Sequence, residues 1–82
     1  MTIKDELIKP YFISKESGNY DVLEDTGKED KKGNKITRLH GHFSTTEGAL
    51  LKIAKLLVET DRVLTIKEYV EELKELKAKF KI

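Results

Sequence analysis

The sequence predicts an α+β domain, three antiparallel strands followed by two α-helices. Three observations carry that reading. Two Gly-Asn dipeptides, Gly18-Asn19 and Gly33-Asn34, sit between segments rich in β-branched and aromatic residues. The apolar period changes from two to 3.6 after Phe43, and two Ser/Thr-x-x-Glu runs mark helix starts. A chain of 82 residues is near the size at which one core only just suffices, so pairing with a second copy is an open possibility. We expect one domain across residues 1–82, with the sheet over about 7–43 and helices over about 45–59 and 66–80.

Glycine supplies the positive φ that a two-residue hairpin turn requires, and Asn tolerates it better than most residues. The first dipeptide joins a strand around Tyr11–Ser17 to one around Tyr20–Thr26. The second joins that strand, through Gly27–Lys32, to one around Lys35–Phe43. Centring the turns on the dipeptides pairs Tyr20 with Ser17, Val22 with Lys15 and Glu24 with Ile13, then Glu24 with Phe43, Thr26 with Gly41 and Lys28 with Leu39. Both registers place Tyr11, Ile13, Tyr20, Val22, Leu39 and Phe43 on one face, the expected core. Glu24 then points inward unless it lies at an edge or a bulge shifts it, and a longer tip over Gly27–Asn34 would loosen the register. The other face carries Phe12, Asp21, Leu23, Asp25, Ile36, Arg38, His40 and His42, a mixed surface with three exposed apolar side chains.

Ser44-Thr45-Thr46-Glu47 has the form of a capping box, with Ser44 as the N-cap. Ala49, Leu50, Ile53, Ala54, Leu56 and Leu57 recur at spacings of three and four, giving a helix whose apolar stripe packs on the sheet and which ends near Glu59. Thr65-Ile66-Lys67-Glu68 is a second capping box, with Leu64 placed to staple onto Tyr69. Ile66, Tyr69, Val70, Leu73, Leu76 and Phe80 continue the stripe. The remaining face is charged, with Glu68, Glu71, Glu72 and Glu75 early and Lys74, Lys77, Lys79 and Lys81 late, an order that suits the helix dipole.

Charge is balanced at 16 Lys+Arg against 15 Asp+Glu, so net charge does not mark a nucleic-acid module. The chain has no cysteine, which excludes disulfides and thiolate zinc sites. No apolar run approaches a membrane span, and the acidic Asp5-Glu6 stands where a signal peptide needs an apolar stretch. A cytoplasmic protein without membrane contact is expected.

His40-Gly41-His42 puts two rings on one strand face at metal-bridging separation, and Asp21 and Asp25 share that face. Two histidines fall short of a ligand set, so we expect no metal and read them as two exposed strand histidines. Ser44 follows His42, but capping accounts for its hydroxyl. Nothing resembles a nucleophile with base and orienter, a phosphate-binding glycine loop or a dinucleotide fingerprint, so we expect no enzyme and no cofactor. Lys28, Lys31, Lys32 and Lys35 cluster at the second hairpin tip, with Arg38 beyond. They suit phosphate contacts, although Glu29 and Asp30 offset them. The last helix runs on to Phe80, farther than a small sheet easily covers, leaving Leu76 and Phe80 either exposed for a partner or second copy or folded back on the first helix.

The run Leu39-His40-Gly41-His42-Phe43-Ser44-Thr45-Thr46-Glu47-Gly48-Ala49, preceded by Ser17-Gly18-Asn19-Tyr20, resembles the sheet-to-helix junction of APETALA-type and phage-integrase arm-binding domains. Those domains read DNA through a three-stranded sheet packed on a helix. The resemblance covers about residues 11–57 and implies DNA contact through the sheet, yet Arg38 is the only arginine on that face and Asp21 and Asp25 repel phosphate. As a whole, the chain is similar to small accessory proteins encoded by phages and prophages of Gram-positive bacteria. In those, a Tyr-rich hairpin leads through a Gly-aromatic-Ser-Thr junction to a charged C-terminal helix. That likeness implies a protein that binds and blocks a host enzyme or defence complex, as an anti-CRISPR protein does.

We therefore expect a non-enzymatic binding protein whose protein partner meets Phe12, Leu23, Ile36, Arg38, His40, His42, Leu76 and Phe80. The alternatives are a DNA- or RNA-binding module using Lys28, Lys31, Lys32, Lys35 and Arg38, and a homodimer joined through the last helix.

Overall fold

The computed structural model describes residues 1–16 and 18–82. The first strand's expected end at Ser17, and Ser17 as partner of Tyr20, lie outside the described residues. The expected sheet followed by two helices is present, with four strands rather than three. Strands β1 (Thr2–Ile3), β2 (Tyr11–Lys15), β3 (Tyr20–Glu29) and β4 (Lys35–Phe43) precede helices α1 (Thr46–Val58) and α2 (Ile66–Phe80). The sheet is an antiparallel meander in the order β1-β2-β3-β4. The extra strand is only two residues long, too short to show any alternation. It is held by Ile3 opposite Ile13 and by the Met1 carbonyl accepting from the Lys15 amide at 2.9 Å. A single 3₁₀ turn, Glu6–Ile8, capped by Asp5 accepting from the Leu7 amide, then drops Ile8 into the core.

In the first hairpin, Lys15 pairs with Tyr20, Ile13 with Val22 and Tyr11 with Glu24, two positions away from the expected register. A shift of two preserves parity, so Tyr11, Ile13, Tyr20 and Val22 share the core face as the alternation requires. The second hairpin turn is longer than two residues, and its organiser is Asp30. Its carboxylate accepts from the Lys32 and Asn34 amides, its carbonyl accepts from Gly33, and its amide donates to the Asn34 carbonyl. Gly33, at φ 81°, supplies the left-handed residue that closes this turn.

Parity breaks in β4. Val22 faces Gly41 while Leu23 faces Leu39, so His40 is an extra residue in the ladder. Because side chains alternate with a period of two, that one residue re-aims the whole N-terminal half of the strand. Leu39, expected in the core, is 50% exposed on the outer face opposite Leu23. Arg38 crosses to the inner side, opposite Glu24, and by alternation Ile36 lies on that side too. A second irregularity, between Asp25 and Lys28, accommodates Thr26 and Gly27.

Helix α1 covers the inner face of the sheet. Ile53, Ala49 and Ala54 are fully buried, and Ile53 and Ala49 join Ile8, Ile13 and Val22 in one cluster, with Tyr11, Tyr20, Phe43, Leu50 and Phe80 packed around it. The cap of α1 is Thr45, one residue later than expected, with its hydroxyl accepting from the Gly48 amide at 3.0 Å. Gly48 now occupies the third helical position, so no carboxylate can return the bond and the Ser44–Glu47 box does not form. The second box does form: Thr65 accepts from Glu68 and the Glu68 carboxylate accepts from Thr65. Helix α2 packs chiefly on α1, and none of its residues is fully buried.

Candidate interaction surfaces

With both helices on the inner side, no described element covers the outer face of the sheet. Phe12, Leu23 and Leu39 stand in register across β2, β3 and β4 and form one apolar row there. The next row is Ser14, Asp21 and His42, with Asp21 paired to the His42 ring. At the other end of the face, the Lys4 ammonium lies 5.1 Å from the centre of the Phe12 ring. An open cleft of about 490 Å³ adjoins it, lined by Lys4, Pro10, Phe12, Asp25, Gly27 and Lys35. Asp25 accepts from the Gly27 amide at 2.9 Å and lies 3.6 Å from the Lys35 ammonium. Those bonds, the Gly27 amide first, hold the Asp25 carboxyl below its ordinary pKa.

The partner surface expected from sequence is therefore split. Phe12, Leu23 and His42 remain together on the outer face and gain Leu39, whereas Ile36, Arg38 and His40 leave it. The two histidine rings, expected side by side, lie on opposite faces. His40, pushed inward by the bulge, bonds Glu24 at 2.8 Å and meets the Tyr11 ring edge-on at 5.3 Å. Among the described residues, no group of three or more His, Asp or Glu side chains is placed to hold a metal. The inward Glu24 is explained by this pairing: it faces Tyr11 and Arg38 at the rim of the core, with the His40 ring as its partner. Burial is the main reason the Tyr11 hydroxyl is harder to ionise than usual, with the Glu24 charge adding to it. Tyr20, at the opposite rim, is easier to ionise, through its hydrogen bond with Thr46 and then the Lys15 ammonium at 3.3 Å.

The lysine-rich tip does project. Strand β2 pairs with β3 only as far as Glu24, so residues 25–37 form a two-stranded ribbon, exposed from Gly27 to Leu39, on a molecule measuring 45 × 28 × 19 Å. Glu29 faces Lys35 across the ribbon, Asp30 is committed to the turn, and Lys28, Lys31 and Lys32 are exposed.

On α2, Leu76 and Phe80 are half-buried, with Phe80 against the core cluster. The large exposed apolar side chains lie at its other end: Val63 at 100% exposure, Ile66 at 86% and Val70 at 40%. Leu64 and Tyr69 line a shared cleft at the α1–α2 junction, where the staple was expected. Sequence reading also passed over Arg62, a lone cation in the connection between the helices. Its guanidinium donates to both carboxylate oxygens of Glu72 (3.1 and 2.6 Å), to the Val58 carbonyl and to the Thr60 hydroxyl. No periodic or motif signal marks such a residue; only the closeness of the two helix ends reveals it. No helix among the described residues is long and apolar enough to cross a membrane. Comparison of the chain with known protein families, with curated proteins and with solved structures yields no match.

Proposed function

We propose that the chain is a non-enzymatic binding protein that docks a protein partner on the outer face of its sheet. The reading fits a phage or mobile-element accessory protein that blocks a host enzyme or defence complex. The observation that carries it is the Phe12–Leu23–Leu39 row. Three apolar side chains aligned across three strands, on a face that no described element covers, are more than solvation needs. The polar groups around the row suit an interface rim, with His42 and Asp21 on one side and Lys4, Asp25 and Lys35 on the other.

A second reading, nucleic-acid binding, has its own observation. A two-stranded ribbon is one of the shapes a DNA major groove admits, and this one carries Lys28, Lys31 and Lys32 at its end. One experiment separates the two. The tagged chain, purified from the cells that encode it, should retain a stoichiometric protein partner. That partner should be lost on Leu39→Asp and retained on joint Lys28→Glu, Lys31→Glu and Lys32→Glu substitution. Recovery of nucleic acid alone, released by the lysine reversals and by salt, would overturn the first reading in favour of the second.

A further inference from the structure

Helix α2 has a flank that its fold leaves open. Around a helix of 3.6 residues per turn, Ile66, Val70 and Lys77 fall within about 40° of one another, and Lys81, the left-handed cap, follows at the C-terminal end. This sector lies beside the Tyr69–Leu73–Leu76–Phe80 stripe that faces the rest of the molecule. Its N-terminal half is apolar, with Ile66 86% and Val70 40% exposed. Its C-terminal half consists of lysines, whose long stems can themselves cover apolar surface.

Charge along the helix is segregated as well. Residues 66–73 hold Glu68, Glu71 and Glu72 against Lys67, and residues 74–81 hold Lys74, Lys77, Lys79 and Lys81 against Glu75. The helix dipole favours such an order only within the first and last turns. Glu71 and Lys74 lie deeper than that, so the dipole does not account for them. A helix with an acidic first half and a basic second half is complementary to itself when inverted.

We infer that two copies of this chain associate through α2, antiparallel, about a two-fold axis near the helix midpoint. Ile66 and Val70 of each copy lie against the Lys81 and Lys77 stems of the other. Glu71 of each, flanking this sector on the Lys74 side, reaches Lys74 of the other. The interface is isologous, because the same patch supplies both halves. It leaves the outer sheet face free, so it neither requires nor replaces the proposed docking there.

Sedimentation of the full chain from micromolar to millimolar concentration tests the assembly. In low salt the mass should rise from the 9.4 kDa monomer toward twice that value, and high salt should reverse the rise. Ile66→Asp with Val70→Asp should hold the chain at monomer mass with its circular dichroism unchanged, since both side chains are solvent-exposed. Lys74→Glu with Lys77→Glu should likewise prevent pairing, and mixing that variant with a Glu71→Lys chain should restore a dimer. Such restoration cannot arise from misfolding. A wild-type monomer at every concentration in low salt would overturn the inference. So would a dimer that survives both sets of substitutions, or one abolished by Leu39→Asp on the sheet face.

Discussion

Gly41 shows how much one position can decide. It sits in the ladder beside the extra residue His40, opposite Val22, with the Phe43 ring lying over it. A Cβ added there would meet Phe43 Cε2 at 3.1 Å, tighter than ordinary contact allows. Gly41→Ala is therefore expected to displace the Phe43 ring from the core rim and to cost about 1–3 kcal/mol, as overpacking does. Urea denaturation checks it, and an unchanged midpoint would mean that neither the ring contact nor the φ of 156° at this position resists a side chain. The glycine between two histidines was legible in the sequence only as a separator of possible metal ligands. Strict alternation puts both rings on one side, and no feature of Leu39-His40-Gly41-His42 announces an added residue. Glu24 was legible as an anomaly; it stays on the inner side, and the bulge supplies its partner instead of moving it. Its partner could not be named before His40 was known to turn inward.

At the level of elements, the helices were easier to read than the sheet. Apolar spacing over Ala49–Leu57 and the Thr65-x-x-Glu68 box depend on neighbours a few residues apart, and both helices form close to the expected bounds. The cap moved from Ser44 to Thr45 because three consecutive hydroxyl residues all qualify. Only the chain direction leaving β4 selects among them. The connection between the helices is another matter, since Arg62 and Glu72 are ten residues apart and meet only in three dimensions. The two hydrogen bonds from Arg62 hold the Glu72 carboxyl below its ordinary pKa, and the carboxylate in turn raises that of Arg62. A carboxylate with a depressed folded-state pKa stabilises the fold above the ordinary carboxylate range. It loses that contribution as the pH falls through the folded value. Glu72→Gln should thus destabilise the protein at neutral pH and make little difference once the wild-type carboxylate is protonated. Thermal melts of both chains across the acid range test this: a difference that stays constant with pH would show that the pair contributes no charge-dependent stability.

For the molecule as a whole, the strand-then-helix order and the one-sided packing of helices on a sheet were legible. The short first strand, the long free ribbon and the uncovered outer row were not, because each depends on where pairing stops. The ribbon of residues 25–37 extends past the last residue of β3 that β2 pairs with, and contributes no residue to the core cluster. Hydrogen exchange should reflect that division. Amides of the ribbon should exchange by local opening, while those of Ile13, Val22 and Ile53 wait for global unfolding. Uniform protection across β3 would contradict it. The bulge at His40 has a last consequence, for the company the protein keeps in concentrated solution. Strand β4 is an outer strand nine residues long, with one side of its backbone unclaimed by any described strand. A straight edge of that length would be a template for another chain. The added residue interrupts the even spacing of its outward amides and carbonyls and twists the strand. The irregularity that sends Leu39 outward therefore also discourages the sheet from growing copy upon copy.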